Sequence, residues 1–413
     1  MITLVEANNF RCLRYVRQEL GRFHVLVGPN ASGKTTFLDV IQFLGDLVTG
    51  NLDDAIRSRS ENLKDLLWHR TGDKFELAIE MAIPDEYRSQ HSDKEVCRYE
   101  IAIGIHPETQ ENAILSERVL LLPRRKPRVI QRTFFPDPPR QPNTIMTSTA
   151  RKGVKTVISK SPSGNDIFHQ ETGKGWDHVF RLGHRRSALA NLPEDEFKFP
   201  VSTALKRLLS RGVQSLMLNS VRMRNPSPPG RGVEFRTDGS NLPWVIEWLS
   251  MKAPDRKAQW VAHVRTALPD IEDIRTVQRP EDLSRYLVVR YKNGLEIPSW
   301  VLSDGTLRLL ALTLVAYLPD LRGVFLIEEP ENGIHPRAVE TVFQSLSTVY
   351  GAQILLATHS PVILGLARVE DILCFARIPE GATDIVRGSE HPALRNWQGE
   401  VHLHDLYVAG VLG

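Results

Sequence analysis

The chain has 413 residues, of which 41% are hydrophobic and 24% are charged, so it is long and apolar enough to bury a substantial core, and wholesale disorder is excluded. The formal net charge is only +3, so any contact with nucleic acid must come from a local basic patch. Three cysteines far apart in sequence argue against a disulfide framework and against a zinc-binding pair, which favours a reducing cytoplasm: Cys12, Cys97 and Cys374.

The N-terminal segment lacks the features of a secretory signal. MITLVEANNFRCL has neither a basic start nor an apolar stretch. The longest apolar run, Leu309 to Leu318, has 10 residues, whereas a membrane-spanning helix needs roughly 20. We therefore expect a cytoplasmic protein with no membrane partner.

Apolar patterns in the first hundred residues predict β-strands. FHVLVG is short, apolar and ends at a glycine, as a buried strand does, and a helix is expected to follow from about Gly33 to Leu47. Later segments place apolar side chains at every second position, which is typical of antiparallel strands with one buried face. The strands are expected at residues 2–6, 15–20, 23–27, 75–83 and 99–105.

The composition changes after Glu117. Residues 118–160 contain 11 Lys or Arg, six prolines and a single acid, which indicates an insertion with exposed loops and at least one hairpin, VKTVIS–SPSGN–DIFHQ. A helical pattern is expected from about Glu194 to Leu218. We therefore predict three parts, with boundaries at residues 1–117, 118–214 and 215–413.

The basic insertion has three possible uses. Its run PRRKPRVIQR is suited to phosphate backbones, and two nearby phenylalanines are suited to stacking on bases. The same charge also suits an acidic protein surface, or simple solvation. The residues concerned are 123–132, Phe134, Phe135, Arg151, Lys152 and Lys155, with His184, Arg185 and Arg186 as an extension if the fold brings them near.

From Leu283 onward, strand and helix patterns alternate. Strands are expected at residues 287–291, 324–327, 353–357 and 372–376, with helices from Ser303 and after Pro336. Such alternation implies a parallel sheet flanked by helices.

GPNASGKT (28–35) fits the pattern G-x-x-x-x-G-K-[ST] and lies between a predicted buried strand and a predicted helix. Its glycines let the backbone wrap a phosphate, and the amides at the helix start supply positive potential. Lys34 is expected to reach the β- and γ-phosphates, and the Thr35 hydroxyl to bind Mg²⁺. The candidate nucleotide-binding residues are Gly28, Pro29, Asn30, Ala31, Ser32, Gly33, Lys34, Thr35 and Thr36.

VFLIEEPENGIHP (324–336) places two carboxylates at the C-terminal end of a predicted strand. In doubly wound sheets, ligands bind at this edge. Glu328 is expected to hold the water shell of the metal, and Glu329 to polarise the attacking water as a general base. Alone, this segment is also consistent with solvated acids, but a complete phosphate-binding loop in the same chain favours the catalytic interpretation.

Two further turns are candidate site elements. Ser303, Asp304 and Gly305 open a long apolar helix about 25 residues before the paired glutamates, although a Ser–acid–Gly turn is also an ordinary helix N-cap. LLATHSP (355–361) ends a buried strand at His359, where a histidine can sense a γ-phosphate or orient water. The alternative for His359 is a hydrogen-bonded histidine at a strand end.

This ordered set resembles ABC-type ATPases, and more closely the RecF/SMC-like branch and the bacterial AAA-family ATPases related to the ATPase module of OLD nucleases. LSDGT, IEEPENGIHP and ATHSP, with DGSNL upstream, carry the resemblance, which covers residues 1–83 and 215–378. It implies an α/β fold, an ABC-type ATPase head of mixed and parallel sheets flanked by helices, with a basic, partly β insertion and a helical segment. It also implies Mg-dependent hydrolysis of ATP.

The resemblance further implies that the turn 303–306 contacts the γ-phosphate held by the opposite protomer. Hydrolysis would then require a head-to-head dimer, and higher oligomers are compatible with this. Three positions depart from the usual pattern: Glu328 replaces an aspartate, Asp304 takes the place of a frequent glycine, and His335 takes that of a frequent aspartate. The Q-loop residue is not assigned, since Gln42 lies too early.

The favoured function is the sensor or motor of a bacterial anti-phage defence system that works with a separate effector, a nuclease or toxin. Only about 50 residues follow His359, and no DxD pair is evident, so we expect any TOPRIM-type nuclease to be a separate chain. The alternative is a RecF-like DNA-binding repair ATPase. A transporter subunit is disfavoured by the antiparallel strands, the basic insertion and the lack of a visible Q-loop.

Overall fold

In the computed structural model the chain forms two compact units. Unit 1 comprises Met1–Val213, Val369–Gln398 and Gly410–Gly413, and unit 2 comprises Gln214–Arg368 and Gly399–Ala409. The structure describes residues 1–89, 93–123, 132–148, 153–162, 165–172, 177–193, 195–394, 403–410 and 412.

Unit 1 is built on a large antiparallel sheet. Its strands are β1 (Ile2–Phe10), β2 (Leu13–Glu19), β4 (Lys74–Ala82), β5 (Val96–Ile105), β6 (Asn112–Leu122), β7 (Lys155–Lys160), β8 (Asp166–Phe168) and β9 (His178–Phe180), in the order β2-β1-β4-β5-β6-β7-β8-β9. A second set of strands comprises β3 (Phe23–Val27), β16 (Ile372–Arg377) and β17 (Thr383–Arg387). The helices are α1 (Lys34–Thr49), α2 (Leu52–Arg57), α3 (Asp85–Arg88) and α4 (Pro200–Arg207).

The described part of unit 2 contains a three-stranded sheet, a pair of parallel strands and seven helices. The strands are β10 (Val213–Leu216), which begins at the last residue of unit 1, β11 (Ile271–Gln278), β12 (Arg285–Tyr291), β13 (Glu296–Pro298), β14 (Val324–Glu328) and β15 (Gln353–Ala357). The helices are α5 (Ser220–Arg224), α6 (Leu242–Lys252), α7 (Pro254–Ala267), α8 (Asp304–Leu314), α9 (Pro336–Ser347), α10 (Pro361–Leu366) and α11 (Leu403–Val408).

The predicted parallel pairing is confirmed within each unit. In unit 1, β3 and β16 run parallel, and β17 is antiparallel to β16. In unit 2, β14 and β15 run parallel, with Glu328 opposite Ala357 at their C-terminal ends. These short strands are almost wholly buried, as the continuous apolar runs in the sequence predict.

One face of the large sheet packs on α1. Phe75 of β4 lies against Phe10 and Phe43, with ring centroids 5.1 and 5.6 Å apart. The alternation in FELAIEMAI directs Phe75, Leu77 and Ile79 to this face, where all three are fully buried. The predicted apolar face is therefore confirmed, and it fixes the helix that follows the phosphate-binding loop.

The opposite face of the sheet is polar, and it is buried as well. Arg98 of β5 forms ion pairs with Glu6, Glu80 and Glu100 at 2.8, 3.1 and 2.7 Å. The arginine side chain is only 2% exposed. We call Glu6, Glu76, Glu80, Arg98 and Glu100 the polar layer.

Residues 132–148, here called the strap, cover the polar layer. The backbone amide of Ile145 donates to Glu76 at 2.7 Å, and that of Thr147 donates to Glu100 at 2.8 Å. The sequence predicts one buried face for these strands, whereas the structure buries both. The acids of the second face remain stable there because the strap supplies backbone donors.

The basic insertion continues the large sheet. β6 runs through Glu117 and pairs with β7, with Glu117 opposite Lys160, so the change in composition falls inside a strand. The predicted hairpin is confirmed, because β7 and β8 are antiparallel. The helical prediction for residues 194–218 holds only in part: α4 continues as a π-helix, Leu208–Gly212, and β10 follows. The helix stops there because Gly212 is a poor helix residue, and Val213–Leu216 continue in an extended conformation.

No helix in the described ranges is long and apolar enough to cross a membrane. All three cysteines are free thiols. Burial raises the pKa of Cys374 to about 12, so its thiol stays protonated.

Candidate active site

The loop at residues 28–35 joins β3 to α1, and its glycines are required by close packing. Gly28 and Gly33 have φ angles of 152° and 105°. A Cβ atom on Gly28 would lie 2.2 Å from the carbonyl oxygen of Phe375, and one on Gly33 would lie 2.5 Å from Oγ1 of Thr383. Any side chain at either position would displace the loop from the strands beside it.

The same loop carries polar groups that suit an anionic ligand. The Lys34 ammonium donates to the carbonyls of Gly28 and Pro29 at 2.8 and 2.9 Å. Within the part of the chain that the structure describes, the buried hydroxyl of Ser32 has no hydrogen-bond partner. α1 begins after Gly33 without a side-chain cap and without an acid in its first turn. An uncapped helix start beside an unpartnered buried hydroxyl fits a phosphate group.

The remaining loop residues sit around this cradle. Ala31 adopts a left-handed φ of 61°. Asn30, Ala31 and Thr35 are exposed, and Thr36 is half-buried in the first turn of α1. Thr35 is therefore an exposed residue of the first turn of α1.

Two residues from the C-terminal part of unit 1 hold the loop from outside. The Thr383 hydroxyl donates to the carbonyl of Ser32 at 2.9 Å, and the Arg377 guanidinium donates to that of Ala31 at 3.3 Å. Sequence reasoning missed both residues. No local motif marks them, because their role depends on the pairing of β16 with β3 and β17.

In unit 2, Glu328 is the last residue of β14 and Glu329 follows it, so the paired glutamates lie at the C-terminal end of the strand as predicted, and both are exposed. Glu329 has a φ of 46°, which is rare for a residue with a side chain. Its amide donates to the carbonyl of Ala357 at 2.8 Å. The parallel strand beside it thus holds Glu329 in an uncommon backbone conformation, a feature that clusters at functional sites.

A third acid, Glu331, links the glutamate turn to the histidine turn. Its Oε1 accepts from the Thr358 hydroxyl at 2.7 Å and from the amide of His359 at 2.9 Å. Its other oxygen is buried without a partner. Sequence reasoning missed Glu331, although it stands two residues after Glu329 in the same motif.

The third element of unit 2 is the turn at Ser303. The Ser303 hydroxyl caps α8 by accepting from the amide of Thr306 at 3.1 Å. A Cβ atom on Gly305 would lie 2.5 Å from the carbonyl oxygen of Gly333. The structure therefore brings the Ser303 turn against the loop that follows the paired glutamates.

The predicted site residues thus form two groups. Unit 1 contains the phosphate-binding loop, and unit 2 contains Ser303, Asp304, Gly305, Glu328, Glu329 and His359. Within the described ranges, no group of three or more His, Cys, Asp or Glu side chains is arranged to hold a metal. Mg²⁺ at a nucleotide needs only one or two protein oxygens besides phosphates and water. Of the two predicted metal ligands, Thr35 belongs to unit 1 and Glu328 to unit 2.

A family model described as "AAA domain, putative AbiEii toxin, Type IV TA system" matches residues 23–365. An OLD nuclease of Thermus scotoductus (strain ATCC 700910 / SA-01) is 41% identical over 58 residues, which are 14% of this chain and 10% of that protein. The chain thus spans a tenth of the length of this curated relative.

Two solved structures have a similar fold. The SmcHead bound to the C-winged helix domain of ScpA has a TM-score of 0.53 and 14% identity, over 93% of this chain and 97% of that one. The Smc head domain with an extended coiled coil, bound to the C-terminal domain of ScpA and derived from Pyrococcus furiosus, has a TM-score of 0.50 and 13% identity, over 93% and 95%. At this identity the likeness shows the fold alone, and it confirms the predicted α/β fold of sheets flanked by helices.

Proposed function

Because the chain belongs to this AAA-domain family and is an ABC-type ATPase of the RecF/SMC/OLD branch, we propose that two copies hydrolyse ATP at composite sites formed head to head. The observation that carries the proposal is the loop at residues 28–35. It combines two glycines, at which a Cβ atom would overlap neighbouring atoms, with a buried hydroxyl on Ser32 that has no partner among the described residues.

In this proposal the loop binds the phosphates of ATP. The amides of residues 30–35 and the N-terminus of α1 donate to phosphate oxygens. Lys34 exchanges the carbonyls of Gly28 and Pro29 for β- and γ-phosphate oxygens, and Thr35 contributes its hydroxyl to Mg²⁺. The metal supplies charge neutralisation at the phosphates when it is bound.

Residues of unit 2 perform the hydrolysis. Glu328 orients the water shell of the metal, and Glu329 accepts a proton from the water that attacks the γ-phosphorus. The bond from that phosphorus to the bridging oxygen breaks, giving ADP and phosphate. Glu331 fixes the His359 backbone, so that the histidine can orient the water or contact the γ-phosphate.

The Ser303 turn provides the argument for a dimer. Its exposed helix start suits a phosphate oxygen, and in this proposal, which the resemblance to ABC-type ATPases supports, the opposite protomer holds the matching phosphate. Two copies then close two sites at once, and rings of such dimers are compatible with the same contact.

The test uses the Glu329→Gln variant, which keeps the shape of the base but cannot accept the proton. We expect ATP binding with hydrolysis reduced at least 100-fold, and a nucleotide-bound dimer in sedimentation velocity with ATP and Mg²⁺. Glu340→Gln on the exposed side of α9 is the matched control and should hydrolyse ATP like the parent.

Two results would overturn the proposal. Hydrolysis at the parent rate in Glu329→Gln would remove the assigned base. A strictly monomeric protein that hydrolyses ATP, with no loss in Ser303→Arg, would remove the composite site.

For the biological role we propose the sensor or motor of a bacterial defence system with a separate effector, a nuclease or toxin. The description of the family names a toxin–antitoxin system, and the local similarity to an OLD nuclease points to the same setting. Affinity purification of Glu329→Gln with ATP from cells expressing its genomic neighbours should recover the effector. Recovery of none, together with no effect on phage infection, would contradict this role.

Direct nucleic-acid binding through residues 118–160 is supported less by the structure than by the composition. Lys155 donates to the Glu171 carbonyl and Lys160 pairs with Asp166. Phe135 packs on His391 with ring centroids 5.0 Å apart. The strongest basic positions, residues 124–131 with Arg151 and Lys152, lie outside the described residues.

The alternative, a RecF-like repair ATPase, makes a separable prediction. It requires ATP-dependent DNA binding by the dimer alone, with affinity that falls steeply as salt rises. Fluorescence anisotropy with a DNA duplex and Glu329→Gln, from low to high salt, distinguishes it from a defence ATPase that acts only through a protein partner.

A further inference from the structure

Arg224, the last residue of α5, clamps the turn that contains Ser303. Its Nε and Nη2 atoms donate to the carbonyl of Leu302 at 3.3 and 3.1 Å, and Nη2 pairs with the Asp304 carboxylate at 2.5 Å. The Ser299 hydroxyl donates back to the Arg224 carbonyl at 2.9 Å. One guanidinium therefore holds the residues on both sides of Ser303.

A second arginine on the same short helix is used differently. Arg222 pairs with Asp238 at 2.7 Å, and its side chain is 65% exposed. Only one of these two neighbouring arginines thus reaches the Ser303 turn, which makes the other a matched reference.

The Ser303 hydroxyl has a defined chemical environment. Its oxygen accepts from the Thr306 amide and lies 2.8 Å from the Thr306 hydroxyl. When the Thr306 hydroxyl is the donor in this pair, the Ser303 proton is left to donate to an external oxygen. The geometry suits a phosphate, provided that the turn keeps its orientation.

The charge beside Ser303 is unfavourable to the same ligand. The Asp304 carboxylate is 59% exposed and is the next residue in the chain. Like charges within a few ångströms of each other repel, and the repulsion is stronger near a protein surface than in bulk water. A terminal phosphate that approaches Ser303 would meet this repulsion unless a cation cancels it.

We propose that Arg224 is a positioning residue that neutralises Asp304 and fixes the Leu302 carbonyl, so that the Ser303 hydroxyl donates a hydrogen bond to the terminal phosphate of ATP held by a second copy of the chain. The inference rests on the proposed function. A surface ion pair of this kind contributes little to folding stability. Its consequence lies in the charge that the turn presents to the second copy.

The test measures ATP-dependent dimerisation in the Glu329→Gln background, with ATP affinity of the protomer measured separately by isothermal titration calorimetry below the dimerisation range. Arg224→Ala should raise the ATP concentration for half-maximal dimerisation at least 10-fold, while protomer affinity stays within about twofold. Arg222→Ala should dimerise like the parent.

Charge removal at Asp304 gives the decisive comparison. Arg224→Ala combined with Asp304→Asn should recover dimerisation to within about threefold of the parent. Asp304→Asn alone should dimerise at a lower ATP concentration, because the arginine then faces the phosphate without its counter-charge. This single variant tests the inference even if Arg224→Ala does not fold.

The outcomes separate the two proposals. If Arg224→Ala dimerises normally, if the double variant stays defective, or if Asp304→Asn alone is impaired, the role of Arg224 is refuted while the composite site stands. If Glu329→Gln itself binds ATP but never dimerises, both the composite site and the role of Arg224 fall. If it does not bind ATP, the nucleotide assignment of the loop fails first.

Discussion

The phosphate-binding loop and the polar layer are both rich in buried polar groups, yet they differ in how those groups are satisfied. In the loop, the Ser32 hydroxyl has no partner, and α1 starts without a side-chain cap. In the polar layer, Arg98 donates to three carboxylates and to the carbonyl of Ile145. Both regions lie in unit 1.

The difference separates a ligand site from a structural site. An unpartnered buried donor costs free energy that a bound ligand can recover, whereas a satisfied network gains nothing from a ligand. Charge and burial alone would have ranked the polar layer as the stronger candidate site. Because the strap supplies hydrogen-bond donors to its carboxylates, the polar layer has a structural role and is not a ligand site.

Removing Arg98 from the polar layer should change the stability of the fold more than any other substitution that we propose. Arg98→Met should lower the free energy of unfolding by about 3–5 kcal/mol, because buried carboxylates lose their counter-charge. Urea unfolding followed by circular dichroism measures the change. Arg275→Met is the control, since Arg275 and Glu296 are each 41% exposed and pair at 2.6 Å at the surface, and its loss should be about 1 kcal/mol or less.

An Arg98→Met variant as stable as that control would contradict the structural role of the polar layer. It would mean that the carboxylates take up protons or water at little cost, and the contrast with the loop would disappear.

A second prediction concerns the buried side chain of His24, whose hydrogen bonds are satisfied only when its ring is neutral. Burial lowers the pKa of His24 to about 4. Its Nε2 accepts from the Gly21 amide at 2.7 Å, so the neutral ring carries its proton on Nδ1 and donates it to the Asp371 carbonyl. A second ring proton would point at the Gly21 amide.

The sign of the pH effect follows from this pKa. Between pH 6.5 and 4 the unfolded chain binds the proton and the folded chain does not, so stability falls as the pH falls through this window, by roughly 3 kcal/mol in full. At pH 5.0, protonation of His24 in the unfolded chain lowers the free energy of unfolding by about 2 kcal/mol. His24→Gln should lose that share of the pH dependence, and His335→Gln, at an exposed histidine, should not. Equal pH dependence in the parent and His24→Gln would refute the assignment.

The smallest change that we predict is at Ser32 of the phosphate-binding loop. Ser32→Ala should weaken ATP binding about tenfold, or about 1.4 kcal/mol, yet leave the free energy of unfolding unchanged or raise it by up to about 1 kcal/mol. Calorimetric titration and urea unfolding measure the two quantities. The control is Ser187→Ala, whose hydroxyl donates to buried Glu117 at 2.6 Å.

Ser187→Ala should show the reverse pattern, with stability lowered by about 1–3 kcal/mol and ATP binding unchanged. If Ser32→Ala destabilised the fold without weakening ATP binding, its hydroxyl would belong with the polar layer and not with a ligand site.

The motifs could be predicted from the sequence because their chemistry depends on residues that are close together in the chain. GPNASGKT needs only its own glycines, lysine and helix start, and EE at the end of an apolar strand needs only that strand. The strap and the polar layer could not be predicted from the sequence, because the hydrogen-bond donors to Glu76 and Glu100 lie 69 and 47 residues away in the chain. A single sequence does not show such pairings.

Local patterns were sufficient to predict the α/β class, the loop between β3 and α1, and the order of the site elements, since periodicity and turn chemistry act over a few residues. They did not predict that both faces of the large sheet are buried, that Thr383 and Arg377 hold the loop, or that Arg224 clamps Ser303. Those contacts join residues distant in the chain, and long-range packing and charge satisfaction select them once the strands have paired.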